Sequence, residues 1–245
     1  MNITLVGCGD AFASGRRFNT CLHVVTSRQR FLLDCGATSL TALRAADIER
    51  DRIDTIFITH FHADHFFGLP FLILDAHFIG KRSRTLRIVG PEGLEARLAA
   101  LLDLSFGKDV FDLIGFRIDC REISPGETLE LDGLSCRAER MVHSAPGGTC
   151  LGYRIAADDR TLAFTGDTEW NDNIIAIGRN ADLLLSECCG YRTPVPTHLD
   201  LATLERKLPS VGARRVVLVH MGQTLLDNAA DCDFEMGFDG MQIEI

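Results

Sequence analysis

A chain of 245 residues, 46% of them hydrophobic, carries 25 Lys and Arg against 34 Asp and Glu, a net charge of −9. That length and apolar content suffice for one α/β domain over residues 1–245. The acidic balance argues against the basic surface that non-specific nucleic-acid binding needs. It leaves room for a small anionic substrate where bound cations dominate the local field.

Short runs rich in β-branched and aliphatic residues predict strands at 2–6, 22–26, 30–34, 53–58, 85–89, 115–121, 128–131, 134–141, 150–156, 161–165, 182–186 and 214–219. Helices are expected over 38–46, 66–79, 91–104, 170–178 and 199–207. Asp200 falls in the first turn of the last helix, where a negative charge suits the dipole. Pro125-Gly126, Asp132-Gly133 and Asp158-Asp159 punctuate the middle of the chain as hairpin turns, and Asp239-Gly240 reads as a turn before a last short strand at 241–245. The order reads as two similar α/β halves, which two facing sheets with helices outside would accommodate.

Nine cysteines, odd in number and without a C-x-x-C pair, sit in or beside apolar runs. They read as buried thiols of a reducing compartment, Cys188-Cys189 included. Leu5-Val6-Gly7-Cys8 has the look of a lipoprotein cleavage site but lies too close to Met1 for a signal peptide. No run of about 18 apolar residues predicts a spanning helix. A cytoplasmic protein without membrane association is the expectation.

Chemistry concentrates in Thr59-His60-Phe61-His62-Ala63-Asp64-His65, directly after the apolar run Ile53–Ile58. Three of the eight histidines and one carboxylate fall within this segment, and imidazole and carboxylate are first-choice ligands for zinc and similar divalent cations. His60 and His62 share one side of an extended segment, and Asp64-His65 begins the turn into a helix. Polar residues follow other strand ends: His143 before the small-residue loop Ser144–Gly148, then Asp167, Glu187 and His220. Each alone reads as an ordinary surface or turn residue. Their shared placement suggests that loops gather them over one sheet edge. Seven residues could then bind two metals: His60, His62 and His143 at one site, Asp64, His65 and His220 at the other, with Asp167 bridging through its two oxygens. Two cations about 3.5–4 Å apart can hold a hydroxide between them and clamp the attacked oxygens of a substrate.

In type and order these residues resemble the metal-ligand motifs of the metallo-β-lactamase-fold superfamily, over nearly the whole chain. The resemblance implies a four-layer αββα sandwich with a dinuclear site at one edge, usually of zinc, with Mn2+ or Fe2+ as alternatives. Asp34, in Leu32-Leu33-Asp34-Cys35-Gly36, matches a position that supports the site from behind the ligands; it reads equally as a strand-end turn. Within the superfamily the chain is most similar to the ribonuclease Z and phosphodiesterase branch. Gly7-x-Gly9-Asp10-Ala11, Arg17-x-Asn19-Thr20, Gly68-Leu69-Pro70, Gly90-Pro91-Glu92-Gly93, Leu151-Gly152-Tyr153-Arg154-Ile155 and the pair Glu187 and His198 carry that likeness. Gly7-x-Gly9 is not a dinucleotide loop, because Phe12 stands where the third glycine would. The tRNA-processing enzymes of the branch carry a long arm in the second half of the chain. Here only Ala156–Arg160 separates Leu151–Ile155 from the strand at 161–165, which leaves no room for an arm there.

The expected function is a dinuclear metal-dependent hydrolase, a phosphodiesterase acting on a small phosphodiester through a metal-bridging hydroxide. Asp64 would orient that hydroxide or take its proton, and His198, held by Glu187, would protonate the leaving oxygen. The same ligands could instead serve hydrolysis of a carboxylic ester, thioester, lactone, β-lactam or sulfate ester. A di-iron redox or cofactor-synthesis protein ranks below these, as does a binding module that has lost activity. The expected partners are a small anionic substrate rather than tRNA and, by resemblance, a second copy in a homodimer. His23 and His77 are read as structural and Lys81-Arg82-x-Arg84 as a solvated basic turn.

Overall fold

The computed structural model describes residues 1–245. The first half of the chain forms β1 (Asn2–Gly7), β2 (Cys21–Val25), β3 (Arg30–Leu33), β4 (Thr55–Phe57), β5 (Leu86–Gly90) and β6 (Ile118–Glu122). The second forms β7 (Thr128–Leu131), β8 (Leu134–Met141), β9 (Cys150–Ala157), β10 (Arg160–Phe164), β11 (Leu183–Glu187), β12 (Val216–Val219), β13 (Glu235–Met236) and β14 (Met241–Glu244). The helices are α1 (Ser39–Ala45), α2 (Ala63–Phe66), α3 (Leu69–Phe78), α4 (Leu94–Phe106), α5 (Asn173–Gly178), α6 (Leu201–Lys207) and α7 (Gln223–Asp227). None is long and apolar enough to cross a membrane.

Two seven-stranded sheets result, ordered β14-β1-β2-β3-β4-β5-β6 and β13-β12-β11-β10-β9-β8-β7. In the first, β14 to β3 pair antiparallel and β3 to β6 parallel. The second repeats the scheme, with β7 to β10 antiparallel and β10 to β13 parallel. The last strand therefore returns to the first sheet and fills the place that β7 holds in the second.

Alternation along the strands sorts the apolar side chains into layers. Phe31 and Leu33 of β3, Phe57 of β4, Leu183 and Leu185 of β11, and Val217 and Val219 of β12 point between the sheets. Their neighbours Leu32 and Ile56 point outward under α1, α3 and α4. Leu184 and Leu218 do the same under α5, α6 and α7. The central parallel strands are apolar on both faces because both faces are covered. This is the four-layer αββα sandwich of the metallo-β-lactamase type.

Several elements differ from the sequence expectation, each for a local reason. The helix expected over 66–79 is broken into α2 and α3 at Phe67–Gly68. A Cβ on Gly68 would lie 2.1 Å from the Gly36 carbonyl oxygen, and one on Gly36 would lie 2.0 Å from that of Asp64. The two glycines thus let the Asp34–Gly36 turn press against the metal-motif segment, where the Cys35 N–H donates to the His65 carbonyl (2.8 Å). Asp200 is the N-cap of α6 rather than a first-turn residue, accepting the Thr203 N–H at 3.0 Å. Pro125-Gly126 carries the chain from β6 in one sheet to β7 in the other, so it is no hairpin. Arg82 is buried and not solvated; its guanidinium donates to the carbonyls of Asp51, Ile53, Arg84 and Thr85. β13 and α7, short and flanked by polar residues, gave no usable periodic signal.

Two hydrogen bonds join the two sheets beneath the metal motif, one of them from the Leu151 N–H of β9 to the Thr59 carbonyl at 2.9 Å. The hydroxyl of fully buried Tyr153 on β9 donates to the Ile58 carbonyl just past β4, at 2.6 Å. Its ring packs against Phe57, with centroids 5.6 Å apart. Tyr153→Phe is expected to cost about 1–2 kcal/mol of stability by orphaning that carbonyl, measured by urea unfolding.

Candidate metal centre

The residues that matter hang from the carboxyl ends of strands in both sheets, where parallel strands leave loops free. β3 delivers Asp34 and β4 delivers Thr59 to His65, the last three of these residues in or beside α2. From the second sheet, β8 leads to His143, β10 to Asp167, β11 to its last residue Glu187, and β12 to His220. Asp34 and His220 sit at φ of 59° and 52°, left-handed values that non-glycine residues hold only when the surroundings enforce them.

Two donor clusters converge on one carboxylate. Ligand atoms of His60, His62, His143 and Asp167 lie within 4.8 Å of one another, as do those of Asp64, His65, Asp167 and His220. Asp167 belongs to both. Its Oδ2 is 3.3 Å from Nε2 of His65 and of His220, and 3.8 Å from Nε2 of His60 and of His143. Asp64 Oδ2 lies 3.2 Å from the same nitrogens of His65 and His220. In the first cluster, Nε2 of His60 and of His143 are 3.0 and 3.1 Å from Nδ1 of His62. All seven residues named from the sequence therefore meet at one place, in two groups sharing Asp167. The shortest approach of each of these four imidazoles to Asp167 is to Oδ2.

Hydrogen bonds behind the site assign the tautomers. Asp34, fully buried, accepts the Thr59 N–H (2.8 Å), the Thr59 hydroxyl (2.9 Å) and Nδ1–H of His65 (2.7 Å). Having given its proton to Asp34, the Thr59 hydroxyl accepts Nδ1–H of His60 at 3.0 Å. Nδ1–H of His143 donates to the Thr197 carbonyl at 2.9 Å. In His60, His65 and His143 the Nε2 lone pair is left facing the clusters.

Lone pairs and carboxylate oxygens aimed at each other repel unless a proton or a cation lies between them. Nε2 of His65, Oδ1 of Asp167 and Nδ1 of His220 are buried with no hydrogen-bond partner, an expensive state that a bound cation would relieve for the groups facing it. The donor set of imidazoles and carboxylates suits zinc and similar divalent ions. In the cation-free protein the two clusters differ. Burial holds His60 well below the ordinary imidazole value, and lowers His62 and His143 as well, so these rings are neutral. Burial also opposes charge on His65 and His220, but Asp167 and Asp64 outweigh it. His65 lies well above the usual value and His220 is pushed up to about 9.

Glu187, fully buried, accepts the N–H groups of Thr168, Cys189 (3.3 Å) and Leu199 (3.3 Å), and Nδ1 of His198 at 3.0 Å. His198 packs on His143 and stacks on His220, with centroids 4.7 and 5.4 Å away. Burial lowers its pKa, but the Glu187 carboxylate more than compensates and the net shift is upward. A cleft of about 310 Å³ opens over these groups, lined by Asp10, Phe12, Asp64, Val195, His198 and His220 among others. Sequence reasoning missed three participants. Thr59 relays Asp34 to His60; Thr197, at φ 62°, aims its carbonyl at His143; and Cys189, read as packing, lines the cleft. For Thr59 the signal was available, since a hydroxyl directly before the ligand motif can serve the backbone or the ring beside it.

The sandwich and its strand-end donor clusters define a metallo-β-lactamase-fold protein close to ribonuclease Z. Over residues 1–241 the chain matches the family described as Anti-Pycsar protein Apyc1, and it belongs to that family. It is similar in sequence to ribonuclease Z of Archaeoglobus fulgidus, 32% identical over 162 residues, 66% of this chain and 50% of that protein. Among solved structures, the short form of human tRNase Z gives a TM-score of 0.81 at 23% identity, covering 100% of this chain and 99% of the other. The metallo-β-lactamase-fold protein YhfI from Bacillus subtilis gives 0.79 at 21% identity, covering 99% of each. At such identities the structural likeness speaks for the fold. The chain spans about half the length of the curated ribonuclease Z relatives it matches.

Two expectations follow. Zinc titrated into metal-free protein should fill the His60 cluster with little proton release. The Asp64 cluster should release protons as it fills, because His65 and His220 must give theirs up, and its affinity should rise with pH towards about 9. Calorimetry in buffers of different ionisation enthalpy reads this, and Asp64→Ala should remove the proton-releasing phase. Asp34→Asn should weaken metal binding by about 10- to 100-fold in both clusters, whereas Thr59→Val should weaken the His60 cluster alone, as measured by competition with a chelator.

Proposed function

We propose that this chain is a dinuclear metal-dependent hydrolase of small phosphodiesters, with cyclic or nucleotide-like diesters as the first candidates. The observation that carries this reading is the shared carboxylate of Asp167 between two histidine-rich clusters on the floor of a small cleft. His60, His62 and His143 would hold one divalent cation and Asp64, His65 and His220 the other, with Asp167 serving both. Bound there, the two cations would supply Lewis acidity and a water acidic enough to ionise near neutral pH.

The protein's own groups do the rest. Asp64 lines the cleft and orients the attacking water through a hydrogen bond. Phosphorus gains that oxygen and the bond to the leaving oxygen breaks, on the side away from the attack. His198 gives its proton to the leaving oxygen, and Glu187 keeps the imidazole turned for the transfer and favours its protonated form. The buried neighbours of Asp167 and Glu187 exclude water, which strengthens each of these interactions.

The size of the cleft, about 310 Å³, favours a compact substrate. So does the connection between β9 and β10, which is the two-residue turn Asp158-Asp159 rather than an extended arm. The turn is tied down, because Asp158 accepts the Ser27 N–H at 2.8 Å.

A panel of bis-p-nitrophenyl phosphate, cyclic and linear nucleotide diesters of increasing size, a thioester and a lactone, run with Zn2+ or Mn2+, tests the reading. Turnover is expected for the diesters and to fall with their size; brisk thioester or lactone turnover without any diester turnover would overturn it. His198→Ala should slow diesters with alkoxide leaving groups by about 10²- to 10⁴-fold. The effect on p-nitrophenolate esters should be far smaller, because that leaving group needs no proton.

A further inference from the structure

Phe12 is the most exposed large apolar side chain in the molecule, at 90%. It stands on the loop after β1 and lines the same cleft as His62, Asp64, Asp167 and His198. The loop is held firmly. Buried Asp10 accepts the N–H of Phe12 (3.2 Å), the N–H of Ser14 (2.9 Å) and the Ser14 hydroxyl (2.7 Å). The Asp10 carbonyl accepts from the Asn19 side chain at 3.2 Å, and the Gly15 N–H donates to Gln223 of α7 at 2.9 Å. Ala13 and Arg16 are kept at φ of 58° and 62°, a left-handed conformation that disfavours residues with a Cβ. An aromatic ring fixed in water by a strained and braced loop leaves apolar area uncovered until something lies on it.

The rest of the lining says what that would be. No lysine or arginine lines the cleft; its charged side chains are carboxylates and histidines. An anion reaching the floor can pair only with what the two clusters hold and with His198. A substrate with additional phosphates would find acidic groups and no partner for them. Beyond one phosphodiester, recognition falls to the apolar part of the wall, where Phe12 offers the largest surface, with Val195 and Ala11 beside it in the lining.

We propose that Phe12 is a specificity-determining residue that stacks on a planar ring of a singly charged phosphodiester whose phosphorus lies over Asp64 and Asp167. The inference rests on the phosphodiesterase reading and adds to it the residue that holds the ring of the substrate. Removing an aromatic side chain from under one stacked base weakens binding by about 5- to 150-fold.

The test compares a nucleoside 3′,5′-cyclic phosphate with the corresponding base-free ribose cyclic phosphate, on wild type, Phe12→Ala and Phe12→Tyr. Phe12→Ala should lower the preference for the ring-bearing diester, as the ratio of kcat/KM values, by about 10-fold or more, with the loss in KM. Phe12→Tyr should keep the preference. Calorimetric binding of the nucleoside monophosphate product should weaken in Phe12→Ala by a similar factor. Equal losses on both diesters, or an unchanged ratio, would overturn the stacking role while leaving the phosphodiesterase reading intact. If wild type turns over neither diester, that reading falls and the Phe12 proposal falls with it. A loss confined to self-association, seen by ultracentrifugation with the ratio unchanged, would reassign Phe12 to an interface and also overturn the proposal.

Discussion

The carboxylate of Asp34 touches neither the cleft nor solvent, yet both donor clusters depend on it. One oxygen receives Nδ1–H of His65 directly at 2.7 Å, and the Thr59 hydroxyl passes its influence to His60. A histidine can ligate with either nitrogen, and a free ring in a cleft would sample both tautomers and several rotamers. By accepting the Nδ1–H of His65 itself and that of His60 through the Thr59 hydroxyl, Asp34 turns two Nε2 lone pairs inward, one in each cluster. Burial raises its pKa, and the three donors around it work against that shift. The left-handed turn at Asp34 and the close approach of Gly36 to Asp64 are the backbone conditions for this arrangement.

The sheets explain why these contacts can form at all. Each sheet has four antiparallel strands followed by parallel ones, and in both the parallel strands end at the same edge. Four donors follow β4 of the first sheet, and three follow strands β8, β10 and β12 of the second. Apolar side chains between the sheets set their separation, and the Tyr153 to Ile58 bond fixes them close to the metal motif. The site is therefore assembled from short loops on a rigid base, which keeps seven polar side chains in register without long-range flexibility.

Much of this was legible in the sequence, and the failures are instructive. Alternating runs such as Leu134–Met141 and the continuous runs of β11 and β12 announced strands, because burial on one or two faces leaves a direct signature. The residues of the two donor clusters were legible because chemistry limits which side chains can bind cations. What escaped were roles that depend on three-dimensional neighbours. Arg82 looks like part of a solvated basic turn until four carbonyls are seen around it. Cys188 and Cys189 are adjacent and alike in sequence, but one enters the outer core and the other the cleft. The break between α2 and α3 comes from a backbone approach at Gly68 that no propensity scale encodes.

Asp167 comes from the second sheet and faces histidines of the first, so a cation held by either cluster crosslinks chain segments about a hundred residues apart. Such a crosslink acts as a removable rivet across the seam between the sheets. Without it the seam rests on its apolar faces and on a few hydrogen bonds, among them those from Tyr153 to Ile58, from Leu151 to Thr59 and from the His220 N–H to the Cys8 carbonyl. Starving the protein of metal would then loosen it along its largest hydrophobic surface, the one whose exposure invites aggregation. Metal supply would then govern how long the molecule survives.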